Sequence, residues 1–318
     1  MAKKKNHKWK TICLSVLGLL VLAVGTLAYG YYQLQPKNHF TSVPVVSSGK
    51  NAANETVNVK EPIFNVLLIG SDERKGQNIG HSDTMMLVHV DLNKHKYNAM
   101  SIPRDTRVHV DGYGYTKLTS VQYIMQAKNG SKQGVEAAVS AVSELTGVPI
   151  NYYVETNFEG FQSMVDSMDG ITMDVPFDVA LTKDNVIKAG THSFNGTSLI
   201  RLVRERHSLD NGDFGRQRLQ MEALKGIAEK ALNPGNITKL PALVKTVPDY
   251  IIATNMTTSD MMSFGMAAKD FKPDSQLSYF QIPGKGQKLY DDILEATNYQ
   301  LVIDAQKIKK LAEAHFKL

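Results

Sequence analysis

The first thirty-five residues constrain the fold of this chain most, because they join a lysine-rich start to a long stretch without charge. The first ten residues contain five lysines and no acidic residue, and residues 11–35 contain no charged side chain. An apolar helix of about 20 residues is long enough to cross the hydrocarbon layer of a bilayer. Since basic flanks stay on the cytoplasmic side, the pattern predicts a cytoplasmic tail at 1–10 and a single-pass transmembrane helix at 11–33, with the rest extracellular.

A cleaved signal peptide is the competing interpretation of this start. We favour an anchor, because the apolar stretch is long and no clean Ala-x-Ala site precedes a polar sequence. The only cysteine of the chain, Cys13, falls inside the stretch, so the exported part has no disulfide and depends on its hydrophobic core. Without the five amino-terminal lysines, 31 basic residues balance 31 acidic ones, which argues against nucleic acid as a partner.

Downstream of the anchor, the pattern predicts an extracellular linker at 34–60 and one folded domain at 61–318. The linker is rich in Ser, Asn, Pro and Lys and has no periodicity. Short apolar runs at 65–70, 84–90 and 97–102 are typical of strands buried on both faces. Further strands are predicted at 152–155, 171–175 and 277–282, and helices at 134–145, 158–168, 197–204, 214–232, 259–269 and 305–316. Strands interleaved with helices favour an α/β fold, a three-layer α/β sandwich.

Acidic and basic residues adjoin the three early strands. Asp72 follows the first strand, Asp83 precedes the second, and Arg104 and Asp105 follow the third. Ligands of open α/β sheets bind beyond the carboxyl ends of the strands. Asp83 therefore reaches the same edge as the others only if its strand runs antiparallel to its neighbours.

A second concentration of charge lies in residues 198–222, which contain several arginines and no lysine. Guanidinium groups keep their charge and bind phosphate through a planar fork. We expect a helix that ends near Arg204, a turn at 210–213, and a second helix capped by Asp213 that carries Arg216 and Gln220 on one side.

Carboxylates together with arginines predict a metal-assisted phosphate site. Magnesium binds one or two carboxylates and completes its coordination with substrate phosphate oxygens. The sequence contains no phosphate-binding loop of the Walker A type and no zinc-ligand spacing of cysteines and histidines.

Five segments, in order, resemble the LytR-CpsA-Psr family of membrane-anchored cell-envelope proteins. They read NVLLIGSDER, HSDTMMLVHVD, SIPRDT, TKL and LVRERHSLDNGDFGRQRLQ. The resemblance implies a phosphotransferase that moves an anionic glycopolymer, of the wall teichoic acid or capsular polysaccharide class, from undecaprenyl pyrophosphate to peptidoglycan. It implies a phosphodiester product, Mg²⁺ or Mn²⁺ as cofactor, and a catalytic domain on the outer face of a Gram-positive-type cell membrane.

The same resemblance assigns roles to residues. Asp72 and Asp83 match the acidic positions of the metal and pyrophosphate site. The phosphate-binding positions match Arg104, Lys117, Arg204, Arg206, Arg216 and Gln220. Asp105 is expected to orient Arg104, so the expected catalytic set is Asp72, Asp83, Arg104, Asp105 and Arg206.

This sequence departs from the family pattern at three places. His81 stands where many members have arginine, Thr119 replaces a frequent asparagine, and Leu219 replaces a second arginine that neighbouring Arg218 would compensate in part. Two other functions stay open at this point: a non-catalytic envelope regulator, or transcriptional attenuator, that acts by interaction, and a lipid pyrophosphatase. A cytoplasmic tail of about ten residues is too short for a DNA-binding fold.

Overall fold

The computed structural model describes residues 22–26, 28–47, 55–74, 76–233, 235 and 240–318. Residues 22–26 and 28–34 are helical, and no helix in the described part of the chain is long and apolar enough to cross a membrane. The basic tail at 1–10 and most of the span predicted at 11–33 lie outside the described residues, so both stay predictions.

The chain alternates strands and helices from Pro36 onward. The strands are β1 (Ser42–Val45), β2 (Glu55–Asn58), β3 (Ile63–Ser71), β4 (Ser82–Asp91), β5 (Lys96–Ile102), β6 (Arg107–Val110), β7 (Gly114–Lys117), β8 (Tyr152–Asn157), β9 (Ile171–Val175), β10 (Val179–Thr182), β11 (Asn185–Ile187), β12 (Gly190–Phe194), β13 (Ala253–Thr254), β14 (Leu277–Gln281), β15 (Gly284–Asp291) and β16 (Ala296–Ile303). The helices are α1 (Pro36–His39), α2 (Leu118–Asn129), α3 (Ser131–Thr146), α4 (Phe158–Ser167), α5 (Gly196–Arg204), α6 (Asp213–Ala231), α7 (Leu240–Thr246), α8 (Thr258–Ala267), α9 (Pro273–Gln276) and α10 (Ala305–His315).

A mixed six-stranded sheet forms the centre, in the order β13-β8-β3-β4-β5-β14. Strand β4 is antiparallel to both β3 and β5, whereas β8 and β14 extend the sheet in parallel. Asp83 was expected to reach the edge of the other charged residues only if its strand is antiparallel to its neighbours. The topology confirms this, because the start of β4 lies beside the ends of β3 and β5.

Alternate residues of the central strands face two separate cores. Leu67, Leu87 and Met100 pack with α2, α3 and α10 on one face. Leu68, Met86 and Ala99 face α6 on the other. Because successive side chains of a strand point to opposite faces, apolar runs on β3, β4 and β5 supply both layers at once. The result is a mixed α/β fold with helices on both faces of the sheet.

One helix end has a local chemical cause, and one helix start differs from its prediction. Helix α3 ends at Gly147, whose φ of 70° is left-handed, a conformation that glycine adopts without a Cβ penalty. Helix α6 differs from its prediction, because Gly212 holds the cap position and Asp213 is already the first helical residue. Asp213 instead binds Arg216 one turn further along the helix.

The segment predicted as a flexible linker is partly folded. Phe40 and Val43 are 2% and 0% exposed and belong to the core cluster that contains Phe64. Strand β1 pairs with β2, and His39 contacts Asp260 of α8 at 2.8 Å. The folded region therefore begins before residue 61, because two large apolar side chains in a polar stretch are buried against the sheet.

Candidate active site

Asp83 and Arg104 form an ion pair at the edge of the sheet where β3 and β5 end and β4 begins. Arg104 Nη1 donates to Asp83 Oδ1 at 2.6 Å, and both side chains are 20% exposed. The pair forms because β4 is antiparallel to β5, which places the start of one strand beside the end of the other. A partly buried, charge-assisted bond of this length fixes the guanidinium in one orientation.

The charge of Arg104 is stabilised by its neighbours, and part of its guanidinium group has no partner among the described residues. Burial disfavours its charge, but the carboxylate of Asp83, helped by Asp105 and Asp213, outweighs burial and raises the pKa of the guanidinium. Its Nε atom is buried and has no hydrogen-bond partner among the described residues. A buried donor without a partner is costly, and a phosphate oxygen would satisfy it.

Three further predicted residues come from α5 and α6. Arg216 is 6% exposed; its guanidinium contacts Asp213 Oδ1 at 2.6 Å and donates to the Asp83 carbonyl at 3.0 Å. Arg204 lies with Cζ 4.3 Å from the centre of the Phe158 ring, on the last turn of α5. Gln220 donates to the Val203 carbonyl at 3.3 Å, which ties α6 to the end of α5.

These side chains surround one end of an apolar cavity of about 280 Å³ between the sheet and helices α4, α5 and α6. Asp83, Arg204, Arg216 and Gln220 line it together with many apolar side chains. A second cavity of about 250 Å³, almost wholly apolar, shares Leu68, Val154 and Leu224 with the first. Charge at one end and hydrocarbon along the rest suit a ligand with a phosphate head and a long apolar tail.

Asp72 lies next to this group but contacts His81 rather than an arginine. The His81 amide donates to Asp72 Oδ1 at 2.6 Å, and His81 Nδ1 is 3.4 Å from Oδ2. The His81 ring stacks on Tyr123 with the ring centres 4.6 Å apart. His81, which stands where many family members have arginine, therefore holds an acidic residue of the site.

The described residues contain no group of three or more carboxylate, histidine or cysteine side chains that could hold a metal ion. Asp72 and Asp83 fit a magnesium site only of the kind that substrate phosphate oxygens complete. One oxygen of Asp83 already accepts from Arg104, and His81 competes for Asp72.

Three predicted residues are placed differently from expectation. The Asp105 carboxylate contacts Lys117 Nζ at 2.9 Å, so Asp83, and not Asp105, orients Arg104. Lys117 and Arg206 are not among the residues that line the cavity, and neither are Asp72, Arg104 and Asp105. Arg206 follows Arg204 after Glu205, whose extended backbone ends α5, which confirms the helix end predicted near Arg204 and lets the two arginines lie on one side of the chain.

The remaining departures from the family pattern also have defined environments. Leu219 is fully buried in the core between α6 and β9, where an arginine would be unpaired. Arg218 does not replace the missing arginine, because it contacts Glu222 at 3.2 Å. Thr119 is 8% exposed, and its amide donates to the Arg104 carbonyl at 2.9 Å.

Sequence reasoning missed a buried acid beneath the site. Glu155 of β8 is 1% exposed, and burial raises its pKa to about 7, with Glu73 adding to the rise. Gln122 donates to Glu155 and accepts from Ser82 Oγ at 2.6 Å. The network thus ends beside Asp83. No local sequence pattern indicates this network, because its residues are far apart along the chain.

The fold and this constellation define a member of the LytR-CpsA-Psr family, and residues 31–317 match that family. The chain is 31% identical over 309 residues to a Bacillus anthracis protein named polyisoprenyl-teichoic acid–peptidoglycan teichoic acid transferase TagU, covering 96% of this chain and 95% of that one. It is 30% identical over 295 residues to the protein of the same name from Bacillus subtilis (strain 168), covering 91% and 92%. The crystal structure of Bacillus subtilis TagV aligns with a TM-score of 0.65 at 26% identity, covering 80% of this chain and 97% of that one.

Proposed function

We propose that this protein is a membrane-anchored phosphotransferase that attaches a teichoic-acid-class glycopolymer to peptidoglycan on the outer face of the cell membrane. The donor is the polymer linked to undecaprenyl pyrophosphate, and the product is a phosphodiester. One observation carries the proposal: Asp83, Arg204 and Arg216 lie at the charged end of an apolar cavity. The names of the two transferase relatives agree with it.

The geometry suits transfer of the phosphoryl group next to the polymer. An acceptor hydroxyl oxygen bonds to that phosphorus, the bond to the lipid phosphate oxygen breaks, and the hydroxyl proton is released. Charge grows on the phosphoryl and leaving oxygens during this step, and fixed guanidinium groups stabilise it. Arg104 and Arg216 are suited to this role because Asp83 and Asp213 already hold them in place.

Asp72 and Asp83 would hold a divalent cation, Mg²⁺ or Mn²⁺, together with phosphate oxygens of the donor. When bound, the cation would neutralise part of the pyrophosphate charge. The protein side chains meanwhile bind and orient the donor, and the apolar cavity excludes water from the lipid.

The proposal predicts a defined product. The full-length protein in detergent, given lipid-linked teichoic acid precursor, peptidoglycan oligomer and Mg²⁺, should yield a phosphodiester-linked conjugate detectable by mass spectrometry. Failure to form a conjugate with teichoic and capsular donors alike would refute the proposal. Release of free polymer at equal rates with and without the oligomer would instead identify a lipid pyrophosphatase.

A genetic test separates catalysis from regulation by interaction. Arg216→Ala should fail to complement a deletion strain although the protein reaches the membrane at normal levels. Full complementation by this variant would favour the non-catalytic regulator.

A further inference from the structure

Two neighbouring hairpins present exposed aromatic rings beside the active site. Tyr115 of β7, Tyr290 of β15 and Tyr299 of β16 are 45%, 53% and 52% exposed, and together they are named here the tyrosine surface. Tyr290 and Tyr299 lie diagonally across the β15–β16 ladder, in which Tyr290 pairs with Thr297 and Tyr299 with Lys288. They therefore share one face of that hairpin.

Tyr115 and Tyr290 of the tyrosine surface are joined through Arg107, unlike tyrosines scattered singly over a protein. Arg107 of β6 lies with Cζ 4.3 Å from the Tyr115 ring centre and donates to the Tyr290 carbonyl at 2.8 Å and to Gln300. The Tyr115 amide donates to Asp292 Oδ2 at 2.6 Å, and the Asp292 amide donates to the Tyr115 carbonyl at 2.9 Å. The two hairpins thus form one unit around Arg107.

The hairpins that carry the tyrosine surface are connected to the transfer site by a short series of contacts. Arg107 pairs across β6–β7 with Lys117, which contacts Asp105 at 2.9 Å. The Asp105 carbonyl accepts from the Leu301 amide of β16 at 2.8 Å. Since Arg104 precedes Asp105 and binds Asp83, a ligand lying along the hairpins would lead to the charged end of the cavity.

The tyrosine surface lies at the opposite end of β3 from the amino-terminal helical residues. The amino-terminal helical residues join the domain through Phe40, which packs against Phe64 with the ring centres 4.8 Å apart. Phe64 lies at the start of β3, whereas the site lies beyond its end at Ser71. At about 3.3 Å per residue, β3 separates the two ends by roughly 25 Å.

We propose that the tyrosine surface binds the glycan strand of the peptidoglycan acceptor. Exposed rings with an apolar face and a polar hydroxyl suit sugar rings, which offer C–H groups on their faces and hydroxyls at their edges. Arg107, which donates only to uncharged acceptors among the described residues, adds positive charge for the acidic groups that peptidoglycan carries. The tyrosine surface lies beside the transfer site, and none of its three rings lines either apolar cavity, which favours this ligand over the lipid tail.

This inference rests on the proposed transferase function, and the test separates the two. The full-length protein is assayed with lipid-linked donor and soluble peptidoglycan oligomer, and its co-sedimentation with purified insoluble peptidoglycan is measured. In the double variant Tyr115→Ala, Tyr290→Ala we expect the KM for the oligomer to rise at least tenfold and co-sedimentation to fall. The KM for the donor and the slow release of polymer to water should stay unchanged.

Two controls accompany the double variant. Tyr115→Phe with Tyr290→Phe keeps both rings and should behave like the wild type within about twofold. Val186→Ala removes a comparably exposed apolar side chain from β11 and should change neither measurement. Equal thermal unfolding of all variants establishes that they are folded.

The outcomes are distinct. An unchanged KM for the oligomer and unchanged co-sedimentation in the double alanine variant would overturn the inference and leave the transferase function intact. A rise in the KM for the donor would also overturn it, since the surface would then belong to the donor. A wild-type protein that forms no conjugate refutes the transferase function, and co-sedimentation still tests the surface.

Discussion

The orientation of Arg104, which follows β5, is fixed by a contact with Asp83 of the neighbouring strand β4. Asp83 fixes one end of its guanidinium, and its buried Nε has no hydrogen-bond partner among the described residues. A lysine would keep the charge but lose the planar fork that binds two oxygens. The identity of the side chain therefore matters here more than its charge.

We expect Arg104→Lys to lower the rate of conjugate formation by about 100-fold, because one fixed hydrogen-bond donor to a charged transition state is lost. The measurement is the initial rate at saturating donor. Arg218→Lys is the matched control, because Arg218 is half-exposed and contacts Glu222 away from the cavity. Comparable rates for both variants would remove Arg104 from the mechanism.

Glu155 predicts a pH dependence of stability. Burial raises its pKa from 4.5 to about 7, so the folded state binds a proton that the unfolded state releases. The stabilisation from this proton is full below pH 4.5 and is lost as the pH rises through about 7. For a shift of this size the change is on the order of 3 kcal/mol.

Chemical denaturation at pH 4.5 and pH 8 should therefore show a larger loss of unfolding free energy for the wild type than for Glu155→Gln. The glutamine keeps an acceptor for Gln122 and has no titratable group. An identical pH dependence in both proteins would contradict the raised pKa.

At the residue scale, the acidic and arginine positions were predictable, because their charge is visible in the sequence and local runs place them at strand and helix ends. The ion-pair and hydrogen-bond partners of these side chains were not predictable. Asp105 was assigned to Arg104 because it is adjacent in sequence, but the β6–β7 pairing brings Lys117 to it instead. Glu155 was not predicted because its burial in the sheet and its partner Gln122, 33 residues away, depend on tertiary structure.

At the element scale, helix α6 connects the charged site to the apolar space. Its first turns carry Arg216 and Gln220, while Ala223, Leu224 and Ile227 line the cavity behind them. The helix could be predicted from the sequence, but the cavity could not. Apolar residues on a helix give the same sequence pattern whether they pack in a core or line a cavity.

Leu224 borders both cavities and offers a test of the path of the lipid tail. We expect Leu224→Trp to raise the KM at least tenfold for a donor with an undecaprenyl tail, because the indole obstructs the space between the cavities. A donor with a short isoprenoid tail should be used almost normally. The measurement is the ratio of the two kcat/KM values.

Leu224→Met is the control, since it nearly conserves volume and should leave this ratio unchanged. If the tryptophan variant used both donors equally well, the tail would not pass between the cavities.

At the scale of the whole molecule, the segment after the predicted anchor belongs to the folded domain. Phe40 packs on Phe64 and Tyr152, and the His39–Asp260 contact fixes the preceding helix to α8. The short helix α1 is thereby fixed to the body of the protein.

A chain beginning at Glu61 should consequently be less stable than one beginning at Pro36. Removing the buried ring alone, in Phe40→Ala, should lower the unfolding free energy by about 3–5 kcal/mol, as measured by denaturant titration. The control Lys37→Ala changes an exposed residue and should stay within about 0.5 kcal/mol of the wild type. Equal stability of the two shortened chains would show that residues 36–60 do not contribute to the fold.

The sequence by itself determined which elements form and which residue types carry charge, because apolar periodicity and turn residues act over a few neighbouring positions. It also determined family membership, through an ordered set of short segments. Tertiary structure alone decided which charges meet, where Phe40 and Glu155 are buried, and that an apolar cavity opens at the arginines. Each of these depends on the order and direction of strands that are distant in sequence, as when antiparallel β4 brings Asp83 to Arg104.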